Sequence, residues 1–253
     1  MPGDDSVGSD NGPADDAVET VKRKAGLGSH RRGKGLVNMN IGLILSGGHG
    51  SRFGSDIPKQ YCEMAGKPVI CHVYDAMVSS GAIDKVVIAA AAEYVEDPFL
   101  KGICPEADII EGGNSRNNTI KRGLDYIHQQ YPDCAKIIST DAVRPMITPE
   151  QVKSYIDRLD EYDAVNTSQE ITDSLGCRDS HICYRNRYYL MQSPEAFRFP
   201  LLYRYFDENS KLTEVFHQMP EDATIYLDFN YPYNIKITFP HDIQIAVILL
   251  NRS

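Results

Sequence analysis

Asn40-Ile41-Gly42-Leu43-Ile44-Leu45-Ser46-Gly47-Gly48-His49-Gly50-Ser51-Arg52-Phe53-Gly54, with Pro58-Lys59-Gln60 close behind it, is the stretch from which the architecture can be read. The run Asn40 to Leu45 is short and apolar and reads as a buried strand. The glycines after it let the chain turn sharply and approach a ligand with no Cβ in the way. Their N–H groups can then face phosphate oxygens. Arg52 and Lys59 bring two cations to the same loop, as a polyphosphate requires. A Walker A loop is excluded because no Gly-Lys-Ser/Thr triplet occurs. A dinucleotide fingerprint is excluded because Phe53 stands three residues after Gly50 and Gly54 comes one place too late. What remains is G-G-x-G-x-R followed by P-K-Q.

Composition narrows the class further. At 253 residues with 42% apolar side chains, the chain can bury a real core in one large domain or one domain with appendages. No run of eighteen apolar residues occurs and Met1-Pro2-Gly3-Asp4-Asp5 has no apolar leader, so a cytoplasmic protein with no membrane partner is expected. Six cysteines without a C-x-x-C pair read as reduced thiols, and no His/Cys cluster suggests a transition-metal site. A net charge of -9 argues against a nucleic-acid partner. It also requires that cations be focused locally and a divalent ion share the work if a triphosphate binds.

Residues 1–38 are poor in apolar side chains, with an acidic part (Asp4 to Glu19) giving way to a basic one (Lys22 to Lys34). Such a segment is expected to be disordered apart from a short helix near Ala17 to Lys24, serving as a solvated tail, an appended remnant or an interaction arm. From residue 39 to 253 strands and helices alternate. Strands are expected at Gly42 to Leu45, Lys85 to Ala90, Asp108 to Ile110, Lys136 to Ser139 and Asp163 to Asn166. Helices are expected at Val69 to Ser80, stopped by Gly81, and from a cap at Asn117 to about Gln130. Thr148-Pro149-Glu150-Gln151 reads as a capped start with a capping-box glutamine. The pattern predicts an α/β fold, a mostly parallel twisted sheet with helices on both faces. Residues 169–190 break the rhythm and read as a protruding two-stranded arm packing on a second copy. Ile225 to Leu227 and Asn234 to Thr238 then return to the sheet, and a closing helix runs from about Pro240 to Leu250.

Five motifs stand in one order: the glycine loop with Pro58-Lys59-Gln60; Gly112-Gly113-Asn114-Ser115-Arg116; Asp141-Ala142-Val143-Arg144-Pro145; Ser193-Pro194 followed by Phe197; and Asn234-Ile235-Lys236-Ile237-Thr238. Order and spacing resemble the methylerythritol-phosphate and ribitol-phosphate cytidylyltransferases, over roughly residues 40–250. The resemblance implies a nucleotidyltransferase in which the phosphate of a polyol phosphate attacks the α-phosphorus of CTP, yielding a CDP-polyol and pyrophosphate. It implies that Ser46, Gly47, Gly48 and Gly50, with Arg52 and Lys59, cradle the triphosphate, and that Lys236 stands across from them beside the α-phosphate. Asp141 would hold Mg²⁺ or orient a substrate hydroxyl. Gly113, Asn114, Arg116, Thr119 and Ala142 would form the nucleotide pocket. Arg116 otherwise reads as a solvated arginine at a helix start, where the dipole disfavours it. Ser174, Arg185, Ser193 and Arg144 would serve the acceptor, with Ser174 and Arg185 reaching into the site of the other subunit of a homodimer. Arg185 alternatively faces water in its Arg-Asn-Arg run, and His49 reads as a spacer.

Three departures mark the acceptor side. Thr140 stands where a histidine is usual, Glu195 where the family usually has glutamine, and Tyr231-Pro232-Tyr233 where a glycine-containing lead is usual. With Val143 before Arg144, they lean toward a ribitol-type acceptor for a cell-wall or capsular polymer. The isoprenoid enzyme and an inactive nucleotide-binding partner protein are the alternatives. Glu195 is expected near the acceptor.

Overall fold

A computed structural model describes residues 38–48, 53–212 and 214–251. The expected tail, with its short helix, and His49, Gly50 and Arg52 therefore lie outside the described residues. Seven strands form one sheet: β1 (Met39–Ser46), β2 (Lys85–Ala90), β3 (Asp108–Glu111), β4 (Cys134–Asp141), β5 (Ala164–Glu170), β6 (Tyr189–Arg198) and β7 (Ile225–Asp228). Their spatial order is β3-β2-β1-β4-β6-β5-β7. All pairs are parallel except those made by β6, which lies antiparallel between β4 and β5.

Alternation along β1 sends Ile41 and Leu43 to one face and Ile44 to the other, as a period of two demands. On the Ile44 side α1 (Val69–Ser79) contributes Ile70, Val73 and Met77, and α3 (Pro149–Arg158) contributes Val152, Tyr155 and Ile156. On the other side α2 (Arg116–Gln130) brings Ile120, Leu124 and Ile127, and α4 (Phe199–Tyr205) brings Phe199 and Leu202. A third cluster joins Val69, Val143 and Ile237 to Ala246 of α5 (Pro240–Leu250). The helices therefore cover both faces, as the alternation predicted.

Several local expectations are corrected. Gly81 does stop α1, with φ +63 in the left-handed region. The cap of α2 is Ser115, whose side chain accepts the Asn118 N–H, rather than Asn117. Thr148 caps α3 by accepting the Gln151 N–H. The Gln151 amide, instead of closing a capping box, turns inward to Tyr155 and Thr167, where it meets the polar demands of a buried cluster.

Residues 171–188 contain no strand. The chain leaves β5 at Glu170, makes one 3-10 turn at Arg185–Arg187 and rejoins the sheet at β6, so the expected hairpin arm is a loop. A two-stranded ribbon without a packed face gains too little to hold its pairing. Asn234 to Thr238 likewise run beside the sheet, not in it, tied through the Ile237 N–H to the Val143 carbonyl at 2.9 Å. The long strand β6 was not foreseen, because its alternation is broken by Ser193-Pro194-Glu195 and its burial comes from neighbours distant in sequence.

Candidate active site

The chain builds β1, β2 and β3 outward in one direction and then places β4 on the opposite side of β1. The strand order reverses at β1/β4, and in sheets of this kind ligands sit beyond the carboxyl ends of the strands at such a point. A cleft of about 350 Å³ opens there. It is lined by Ser46, Gly47 and Gly48 from the end of β1, by Lys59, by Gly113, Asn114, Arg116 and Thr119 around the start of α2, by Asp141 and Ala142, and by Lys236. Residues up to 190 positions apart in sequence thus meet because the topology brings the ends of β1, β3 and β4 together beside the segment that carries Lys236.

The glycine loop is held from behind. Gln60 donates to the carbonyls of Ser46 (3.1 Å) and Gly48 (3.0 Å), and the buried Ser46 hydroxyl meets the Tyr61 hydroxyl at 3.2 Å. These bonds engage two carbonyls of the loop, so Gln60, which also lines the cleft, sets the loop. Lys59 reaches across to the Ile237 carbonyl at 2.8 Å, tying the loop to the segment that carries Lys236.

On the opposite wall the Thr119 hydroxyl accepts the Gly113 N–H (3.0 Å) and donates to the Ser115 carbonyl (2.9 Å), folding the Gly112–Ser115 turn onto α2. Gly113 is required by close approach: a Cβ there would lie 2.0 Å from Asn118 Oδ1 and 2.8 Å from the Asn118 carbonyl carbon. The clash with main chain cannot be relieved by a rotamer change. Gly113→Ala is expected to destabilise the fold by about 1–3 kcal/mol, the usual range for overpacking, which thermal melts measure.

Asp141 is the electrostatic centre. Its carboxylate lies 2.6 Å from Lys236 Nζ, 3.6 Å from Arg116 Nε and 4.0 Å from Arg144 Nε. Burial pushes its carboxyl up, but the attraction of Lys236 and Arg116 outweighs burial and holds it below the ordinary range. The Asp141 N–H donates to Ser193 Oγ at 3.2 Å, and that hydroxyl also meets Thr140 Oγ1 at 3.4 Å. Ser193 is only 3% exposed, so the residue expected to bind the acceptor supports Asp141 from below. Arg144 is similarly buried and donates to the Asn234 carbonyl at 2.8 Å. Asn234 in turn donates to the Ser193 carbonyl (2.8 Å) and the Gln192 side chain (2.9 Å). This lattice fixes the segment that presents Lys236 opposite the glycine loop.

Glu195, expected near the acceptor, lies beneath Arg116 and outside the residues that line the cleft. It is 1% exposed, with Oε2 3.9 Å from Arg116 Nη2 and Oε1 accepting from Asn166 and from the Phe216 N–H at 3.3 Å each. Pairing with β5 runs from Asn166–Glu195 directly to Thr167–Gln192, so Ser193-Pro194 form an irregularity at which Ser193 turns to Asp141 while Glu195 stays with Asn166. Burial, then the nearby Glu214 carboxylate, pushes its carboxyl up to about 7. The native chain therefore keeps a proton that the unfolded chain releases near 4.5. Stability from this group falls as pH rises from that value through about 7, and is flat above. Relative to Glu195→Gln, the parent chain is expected to lose about 3 kcal/mol between about pH 5 and about pH 8, read by urea unfolding.

Ser174 and Arg185 do not enter the cleft of their own chain. They line a separate recess in the loop 171–188, where Arg185 donates to the Thr172 carbonyl. Among the described residues no group of three or more His, Cys, Asp or Glu side chains forms a metal cage. A single carboxylate at the phosphate end of a cleft suits Mg²⁺, which is commonly held by one or two carboxylates together with substrate phosphates. No helix among the described residues is long and apolar enough to cross a membrane.

Fold and cleft together are those of a nucleotidyltransferase. Solved structures share the fold: a 4-diphosphocytidyl-2C-methyl-D-erythritol synthase from Anaerococcus prevotii superposes with TM-score 0.70 at 22% identity, covering 85% of this chain and 99% of that one. 2-C-methyl-D-erythritol 4-phosphate cytidylyltransferase from Thermus thermophilus gives 0.65 at 18% identity, covering 83% and 98%. The bifunctional IspDF from Campylobacter jejuni gives 0.70 at 20%, covering 82% of this chain and 54% of that one. Residues 41–252 match the family model of IspD, 2-C-methyl-D-erythritol 4-phosphate cytidylyltransferase, and the chain belongs to that family. It is a CTP-dependent cytidylyltransferase.

Proposed function

We propose that the cleft binds CTP and transfers its cytidylyl group to the phosphate of 2-C-methyl-D-erythritol 4-phosphate. The family match favours this acceptor over the ribitol 5-phosphate that the sequence departures suggested. The observation that carries the reading is Asp141, at the sheet's reversal point, paired at 2.6 Å with Lys236 and facing the glycine loop. In this reading the triphosphate lies along Ser46 to Gly50 with Arg52 and Lys59, and cytosine and ribose sit against Gly113, Asn114, Arg116, Thr119 and Ala142. An acceptor phosphate oxygen forms the new bond to the α-phosphorus as the α–β bridge breaks and pyrophosphate leaves. Lys59 and Lys236 stabilise the negative charge that builds there, so the protein's work is positioning and charge stabilisation. Lys236 exchanges Asp141 for phosphate oxygens, which leaves the carboxylate to hold Mg²⁺, an ion that would neutralise the triphosphate.

Ser174 and Arg185 complete the acceptor pocket of a second copy in a homodimer, Arg185 gripping the phosphate in a forked contact. Removing residues 1–38 should leave turnover intact. Ribitol 5-phosphate remains the second reading because Val143 precedes Arg144 in the Asp141 loop. Pyrophosphate release with Mg²⁺ and CTP, against methylerythritol phosphate, ribitol 5-phosphate and glycerol phosphates in parallel, decides between them. Turnover on none, with CTP still bound, would leave the inactive binding protein as the better account.

A further inference from the structure

Arg116 is the first residue of α2, where the helix dipole disfavours a cation. Asp141 faces its Nε, while Nη2 is met at 3.6 Å by Glu214 Oε2 and at 3.9 Å by Glu195 Oε2. Neither glutamate lines the cleft that Arg116 lines. Glu195 is anchored from β5 by Asn166 and from the turn after Glu214 by the Phe216 N–H. Glu214 Oε2 is buried and makes no hydrogen bond, so its charge partner is the guanidinium.

The segment leading to Glu214 is itself moored to the start of α2. Asn117 donates to the Ser210 and Leu212 carbonyls (3.0 and 3.3 Å), and Asn118 donates to Glu208. The helix start that carries Arg116 thus also holds the loop that supplies its counter-charge. Arg144 and Lys236 complete the surroundings, both turned toward Asp141. From this arrangement we propose that Glu195 and Glu214 are positioning residues, which hold the Arg116 guanidinium from behind at the base and ribose end of the cleft. A neutral amide at position 195 would leave the charge of Glu214 to do this alone.

This inference rests on the reading of the cleft as a CTP site. Its test is a double-mutant cycle on the full chain. At about pH 8, where the Glu195 carboxyl is ionised, Glu195→Gln and Glu214→Gln should each raise KM for CTP roughly fivefold to twentyfold, within the range of couplings between directly paired charges. The acceptor KM should stay unchanged and kcat should move much less, the pattern of lost ground-state binding. In an Arg116→Ala background both effects should vanish. Glu214→Asp, which keeps the charge, should recover part of the lost affinity. Full additivity of the glutamate changes with Arg116→Ala, or an equal fall in kcat, would overturn the inference while leaving the CTP reading intact. Failure of the unsubstituted chain to bind CTP in calorimetry would instead overturn the reading of the cleft, and this inference with it.

Discussion

Lys236→Ala is expected to lower kcat by about 10²–10³, with little change in melting temperature, the loss usually seen when one preorganised donor to a developing charge is removed. The side chain is part-exposed at the mouth of the cleft and, among the described residues, its ion pair is to Asp141. Asp141 keeps Arg116 and Arg144 as partners when Lys236 is gone, so the fold has no uncompensated buried anion to accommodate. On the proposed mechanism the charge of Lys236 is needed when negative charge accumulates at the α-phosphorus, so the deficit belongs in kcat more than in KM. Lys236→Arg should recover little, because a planar guanidinium cannot place one compact charge at the same point. Steady-state pyrophosphate release and a thermal melt on the same preparation check the pair of expectations. A large fall in melting temperature with kcat preserved would make Lys236 a structural residue.

Asp141→Asn should be costly on both counts. One carboxylate stands among Lys236, Arg116 and Arg144, and its backbone is anchored to Ser193. Removing the charge leaves the buried Arg144 without its carboxylate and brings it against Lys236 and Arg116, of which Arg116 keeps Glu214; breaking a buried pair costs about 3–5 kcal/mol. Activity should fall by at least about 10²-fold, and raising the Mg²⁺ concentration should recover part of it if the carboxylate helps to hold the ion. The pH dependence separates these effects. The native carboxyl is held below its ordinary range, so its contribution to stability is present above that range and is lost as pH falls through the depressed value. Asp141→Asn should remove that acid-side slope while leaving the neutral-pH slope from Glu195. Unfolding titrations of the two single variants resolve them.

Local chemistry explains what could be read from the residue order. Buried strands at Gly42, Lys85, Asp108 and Lys136 were legible because parallel strands covered on both faces are continuous apolar runs. Gly81 and Thr148 marked helix ends through interactions within a few residues of themselves. The antiparallel strand β6 and the strandless loop 171–188 were not legible, because strand formation depends on partners that local pattern does not name. Gln60 stood in plain view beside Lys59, but its acceptors are carbonyls of a loop that must fold back before the bond exists. Glu214 carried no signal, being one acid among many until the chain after α4 turns onto the start of α2.

The residue sequence by itself determined the α/β class and singled out the glycine loop, Lys59, Asp141 and Lys236, which the fold gathers around one cleft. Each follows from short-range geometry or from motifs whose spacing survives in a line of letters. Only the tertiary structure decided which of the other charged residues stand with that cluster. It put Glu195 under Arg116, turned Ser193 toward Asp141, and left Ser174 and Arg185 outside their own chain's cleft. The reason is physical: an ion pair or a buried hydrogen bond depends on distance and on removal from water, and both are set when strands remote in sequence become neighbours.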